Sequence, residues 1–118
     1  MPMSMMKAVF LIAALTVAPV ASAAPNIAGN YRCLSYNVSG GGGSCRLAPP
    51  LVLNPDGTYR MSSEQGTWRV VGDRVHLSQS KIRGPGKLAK DNRIIFEYTY
   101  HGWQHTITYG CTDCTSAR

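Results

Sequence analysis

The sequence predicts an all-β fold: a single small antiparallel meander of about seven strands, curled into a sheet or closed as a barrel, following an N-terminal signal peptide. Three observations carry this. Short runs alternate apolar and polar residues, the period of a half-buried strand. Gly, Pro, Asn and Asp punctuate the boundaries of those runs. No window combines helical spacing with capping residues.

The first strand is expected over residues 29–37 (GNYRCLSYN), with Tyr31, Cys33 and Ser35 on one face. Residues 39–44 (SGGGGS) form a flexible connector, because glycine loses the most entropy on ordering. Residues 51–53 (LVL) lead into Asn54-Pro-Asp-Gly57, a turn in which proline presets φ and glycine accepts positive φ. Three strands follow: residues 58–62 with Tyr59 and Met61 inward, 66–71 with Trp68 and Val70 inward, and 74–78 with Val75 and Leu77 inward. Residues 79–92 break the rhythm around Gly84-Pro-Gly86 and are expected to be a long connection. The alternation is strongest after it. Ile94, Phe96, Tyr98 and Tyr100 share one face, His101-Gly102 turns the chain, and Trp103, His105, Ile107 and Tyr109 share a face of the last strand. The aromatics of these two strands are expected in the core.

Residues 1–23 have the form of a secretory leader: Lys7 in a short cationic start, an apolar run over residues 8–18, and the small residues Ala21 and Ala23 of an A-x-A cleavage site. The run is shorter than the about 20 residues a membrane span requires. Residues 24–118 are then the functional domain, periplasmic or secreted. The whole chain carries 12 Lys+Arg against six Asp+Glu, a formal net charge of +6. Only Lys7 leaves with the leader, so the domain stays basic. A basic exported protein suits anionic surfaces and polymers.

Four cysteines, Cys33, Cys45, Cys111 and Cys114, form an even set in an oxidising compartment and read as two disulfides. In a closed meander the first and last strands are neighbours. That favours links from Cys33 to Cys111 or Cys114, with Cys45 taking the other. Local pairing, Cys33 with Cys45 and Cys111 with Cys114, is the alternative. A redox role for Cys111-Thr-Asp-Cys114 lacks the helix that activates such a thiolate, and the cysteine spacing does not match a zinc ribbon.

Two fragments carry a family likeness. Gly29-Asn-Tyr31 resembles the glycine-x-aromatic start of lipocalin-like barrels. Leu53-Asn-Pro-Asp-Gly-Thr-Tyr59, followed by Gly66-Thr-Trp68, resembles hairpins of small exported bacterial β-barrel domains. The resemblance implies the fold and does not name a function.

The leading candidate site is a basic cluster, Lys81, Arg83, Lys87, Lys90 and Arg93, opposed within that stretch only by Asp91. Such a loop can grip phosphate or sulfate groups. Nucleic acid is not the expected target, because residues 81–93 contain no aromatic for base stacking. An aromatic platform for sugars, built from Tyr98, Tyr100, Trp103 and Tyr109, is the lesser reading of those residues. His101 and His105 lie four apart, about 13 Å along a strand, too far for joint metal ligation unless the Gly102 turn brings them together. No catalytic motif occurs, and no cofactor or metal is expected. The expected function is therefore a non-catalytic binding module for an anionic polymer or carbohydrate. The alternative is a protein-interaction or inhibitor domain of the cell envelope.

Overall fold

The computed structural model describes residues 26–39 and 41–114; the leader expected over residues 1–23 lies outside them. Nine antiparallel strands form one sheet: β1 (Gly29–Val38), β2 (Gly41–Gly42), β3 (Leu51–Leu53), β4 (Thr58–Met61), β5 (Glu64–Val71), β6 (Arg74–Leu77), β7 (Gly86–Ala89), β8 (Arg93–Tyr100) and β9 (Trp103–Cys111). Their order is β2-β1-β3-β4-β5-β6-β7-β8-β9, and β9 returns to pair with β1. The sheet is thus a closed up-and-down barrel of eight strands, with the two-residue β2 as an extra ribbon on β1. Closure leaves the barrel without an open edge. No helix among the described residues is long and apolar enough to cross a membrane.

The seven expected strands are present, with two additions. The glycine run does not simply span a gap: Gly41 and Gly42 pair back on Val38 and Asn37. The expected long connection contains β7, which pairs with β6 through Val75↔Gly86 and with β8 through Leu88↔Ile94. Glycine stands at position 86 because the core leaves no room for more. A Cβ there would meet Ile94 Cγ2 at 2.6 Å and the Phe96 ring at 2.9 Å. The β8–β9 turn uses positive φ at both His101 and Gly102, the combination that matches the twist of a two-residue hairpin.

Alternation places Tyr31, Leu51, Leu53, Tyr59, Met61, Val75, Leu77, Ile94, Phe96, Ile107 and Tyr109 inside, where all are buried. Phe96 and Tyr109 meet edge to face, 5.9 Å between centroids, the arrangement their ring quadrupoles favour. Buried hydroxyls need partners. Tyr31 donates to the Ile27 carbonyl at 2.6 Å and Tyr109 to the Pro49 carbonyl at 2.8 Å. Burial pushes the Tyr109 hydroxyl up to about 12. Together these side chains form one buried cluster inside the barrel.

Strand β1 departs from simple alternation. Cys33 opposes Tyr109 and Ser35 opposes Thr108, so Leu34 is an extra residue in a bulge. The bulge turns Ser35 outward and Tyr36 inward, which corrects the expected inward face of this strand.

The register also overturns the favoured cysteine pairing. The disulfides are Cys33–Cys45 and Cys111–Cys114, with Cα separations of 5.5 and 5.7 Å. Tyr31 stands opposite Cys111 and Cys33 opposite Tyr109. Cys33 and Cys111 are therefore diagonal neighbours, and diagonal positions lie about 7–8 Å apart, at the limit of what a disulfide bridges. Cys45 reaches Cys33 because the chain folds back after β1, where Gly43 N–H donates to the Tyr36 carbonyl at 2.9 Å.

The seam between the start of β1 and the end of β9 is tied without a covalent link among the described residues. The Cys111–Cys114 bridge packs on Gly29, where a Cβ would stand 2.8 Å from Cys111 Sγ. Asp113 accepts from the Asn30 backbone N–H at 2.8 Å and from Asn30 Nδ2 at 2.7 Å. Thr112 N–H donates to the Asn30 carbonyl at 2.9 Å. The Asn30 backbone N–H, then its side chain, hold the Asp113 carboxyl below its ordinary value of 3.8. A depressed carboxyl contributes stability that is present at neutral pH and lost as pH falls through its folded-state value. Asp113→Ala is expected to lower the melting temperature at pH 7. The gap from wild type should close as melts are repeated from pH 7 down to pH 2, whereas a pH-independent gap would contradict the clasp.

Candidate functional site

Outside the hydrophobic core cluster, the polar and charged side chains gather at the barrel mouth and on the outer wall. The mouth is the end where β8 turns into β9 and where residues 78–85 connect β6 to β7. Glu64, the first residue of β5, faces inward in phase with Gly66, Trp68 and Val70. Arg83 drops from the connection onto it: Arg83 Nη2 donates to Glu64 Oε1 at 2.9 Å and to Oε2 at 2.8 Å. Tyr59 Oη donates to the same carboxylate at 2.5 Å and accepts from the Gln79 N–H at 3.2 Å. Burial, with the bond to Glu64 second, pushes the Tyr59 hydroxyl up to about 12. This clasp holds the loop against the β4–β5 side of the mouth.

The opposite side stands taller. Strand β7 pairs with β8 only as far as Ile95, yet β8 and β9 continue through Tyr98↔His105 to Tyr100↔Trp103. Beyond β7 their inner face has no wall beside it, so residues expected in the core come to the surface. Tyr100 is 42% and Trp103 56% exposed. Below them Tyr36 Oη is hydrogen-bonded to His105 Nδ1 at 2.9 Å and to Tyr98 Oη at 3.4 Å. The Tyr98 and His105 rings stack, 5.0 Å between centroids and 6° from parallel. Burial, with Tyr36 second, raises the Tyr98 hydroxyl above its ordinary range. The sugar-platform residues thus separate: Tyr109 is core, Tyr98 is half-buried, and Tyr100 and Trp103 are open.

The five basic residues of the candidate cluster do not form one loop site. Lys81 lies on the mouth loop, Arg83 is consumed by Glu64, and Lys87, Lys90 and Arg93 run down β7 and its turn into β8. Lys87 and Arg93 instead join cations that stood apart in the sequence, while Lys90 lies in the turn. On the outer wall Arg69 stands opposite His76, and Arg74 stands opposite Lys87. Arg93 and Arg32 flank Gly110 from its two sides. Neighbours across strands lie about 5 Å apart and those two along a strand about 7 Å. The result is a basic stripe winding from Arg69 through Arg74, Lys87 and Arg93 to Arg32. The outward positions of β5, β6 and β7 hold no acid; on β8 Glu97 lies diagonal to Lys87 on the side away from Arg93, and Arg74 reaches Asp73, in the adjoining turn, at 3.6 Å. Arg69 and Arg74 carry no cluster signal along the chain. Their signal was positional: each precedes an inward valine.

The histidines do not gather. His76 lies on the outer wall, His101 in the hairpin turn and His105 on the inner face. Among the described residues no three His, Cys, Asp or Glu side chains come together as metal ligands. Compared with known protein families, curated proteins and solved structures, the chain matches none.

The clasp has a measurable signature. The Glu64 and Arg83 side chains are 26% and 20% exposed, so removing one partner strands the other in a largely dry site. Arg83→Met is expected to cost about 1–3 kcal/mol in urea unfolding. Adding Glu64→Gln should recover part of the loss; strictly additive losses would mean that the two residues act independently.

Proposed function

We propose that the protein is a non-catalytic binding module working outside the reducing cytosol, and that its outer wall holds an acidic polysaccharide. Kinship with lipocalin-like exported domains is part of this reading, with the ligand on the wall instead of in a calyx. The secretory form of residues 1–23 and the two disulfides support export.

The observation that carries the ligand class is the directly opposed pair Arg74 and Lys87. Like charges facing each other across strands destabilise a sheet, and a bound anion turns that repulsion into attraction. Arg69 and His76 extend the pair on one side, and Arg93 with Arg32 extend it on the other. A linear polyanion can follow a stripe crossing several strands, where a single small anion would use only one pair. No Phe, Tyr or Trp lies at the outward positions of β5, β6 or β7, where His76 is the one ring, so the wall offers little of the stacking surface that single-stranded nucleic acid uses. Carboxylate or sulfate groups on a sugar chain need only the cations.

Heparin retention across a salt gradient tests this. The variant Arg69→Ser/Arg74→Ser/Lys87→Ser should elute at lower salt than wild type, with the log–log salt slope reduced by about three, one per cation removed. Lys81→Ser, on the mouth loop, should elute close to wild type. Equal retention of wild type and the triple variant would overturn the proposal. Tighter binding to single-stranded DNA than to heparin would overturn the assignment to polysaccharide.

A further inference from the structure

The tall side of the mouth holds a second candidate, independent of the basic stripe. A groove of about 350 Å³ opens there, lined by Val38, Ser39, Gly41, Gly42, Trp103 and His105. We infer that this groove seats a neutral sugar ring, stacked on Trp103, with its hydroxyls turned to His105 and to the glycine backbone of β2.

Three observations converge on that ligand class. The first is the balance of surfaces. Trp103 offers a flat exposed ring, while His105 is held by Tyr36 through Nδ1 and by stacking on Tyr98. Its position is therefore fixed, and Nε2 is left as the remaining hydrogen-bonding atom of the ring. A sugar presents an apolar C–H face and a rim of hydroxyls, which matches an aromatic wall beside fixed polar groups. A purely apolar ligand would leave those polar groups without partners, at a cost.

The second observation is charge. None of the six lining residues is Lys, Arg, Asp or Glu, so the groove has no fixed counter-charge for an anionic sugar.

The third is the pair of glycines. A Cβ at Gly41 or at Gly42 would meet nothing within 4 Å, and neither residue has a positive φ. Neither packing nor backbone conformation requires glycine at these positions. At Gly41 the missing side chain provides an open floor, across which a ligand can approach the backbone of β2; Gly42 pairs with the outward Asn37 and opens the other face. Gly41 pairs with Val38, which faces inward, so a side chain at position 41 would project into the groove.

The experiment follows the two tryptophan indole N–H signals by NMR during titration of the mature protein with cellotriose, chitotriose and maltotriose at millimolar concentration. Trp68 is the internal control, because its Nε1 already donates to the Asn54 carbonyl at 2.9 Å, at the other end of the barrel. At least one sugar should shift the Trp103 signal and leave the Trp68 signal in place. Gly41→Leu, which fills the groove from an open position, should weaken that sugar at least tenfold by the Trp103 signal, and Trp103→Ala, which removes that reporter, should show the same loss by isothermal titration calorimetry. Both variants should melt like wild type and keep its heparin elution, so loss of the sugar site is separable from loss of the stripe. The inference is overturned if none of the three sugars moves the Trp103 signal, if both indoles move together, or if Gly41→Leu binds as wild type does.

Discussion

The pairing of β1 with β9 is the constraint from which the rest of the structure follows. It runs from Tyr31↔Cys111 to Val38↔His105 and converts a meander with two free edges into a closed wall. Once the wall is closed, eight strands enclose a space just wide enough for side chains to fill. Tyr31, Tyr59, Phe96 and Tyr109 fill it. The hydrophobic core cluster takes the inward side chains, and the polar and charged ones are left to the outside and to the rim. The same pairing makes the rim uneven. Strands β1, β8 and β9 support one another past the point where β7 stops, and that lifts Trp103 and Tyr100 clear of the core.

The two candidate surfaces differ in physical character. The outer stripe is electrostatic, solvent-exposed and spread over five strands, the form suited to a long flexible polyanion whose affinity depends on salt. The groove is local and uncharged, and its polar groups are held in place by neighbouring rings. The two lie apart on the barrel, one across the outer wall and the other at the mouth. The Glu64–Arg83 clasp belongs to neither. It secures the loop that closes the low side of the mouth, and it accounts for why a cation that looks available in the sequence is absent from the basic surface.

Much of the barrel was legible in the sequence because alternation reports which residues face inward. Tyr59 with Met61, Val75 with Leu77, and Ile94 with Phe96 are buried as the period of two required. Strand β7 was not legible, for a physical reason. Its Gly86 faces a crowded part of the core where only hydrogen fits, so one of the two apolar signals the strand would have shown is missing. The cysteine pairing was hidden for a different reason. It depends on the bulge at Leu34 and on the register of β1 against β9, and composition does not encode register. The site was legible only in part. A basic cluster was visible, but its members divide among a part-buried ion pair, the mouth loop and the outer wall, and the wall recruits Arg69, Arg74 and Arg32 from other strands. Tyr100 and Trp103 carry the same inward phase as Tyr109; only the early end of β7 decides that they are exposed.

The central claim is closure, and amide hydrogen exchange on the native protein measures it most directly. Amides bonded between β1 and β9, within residues 31–38 and 105–111, should exchange as slowly as those of the β4–β5 and β5–β6 pairs, all opening with one common free energy. Fast exchange confined to β1 and β9, with the other pairs still protected, would mean an open sheet, and the filled barrel with its outer stripe and raised rim would not stand.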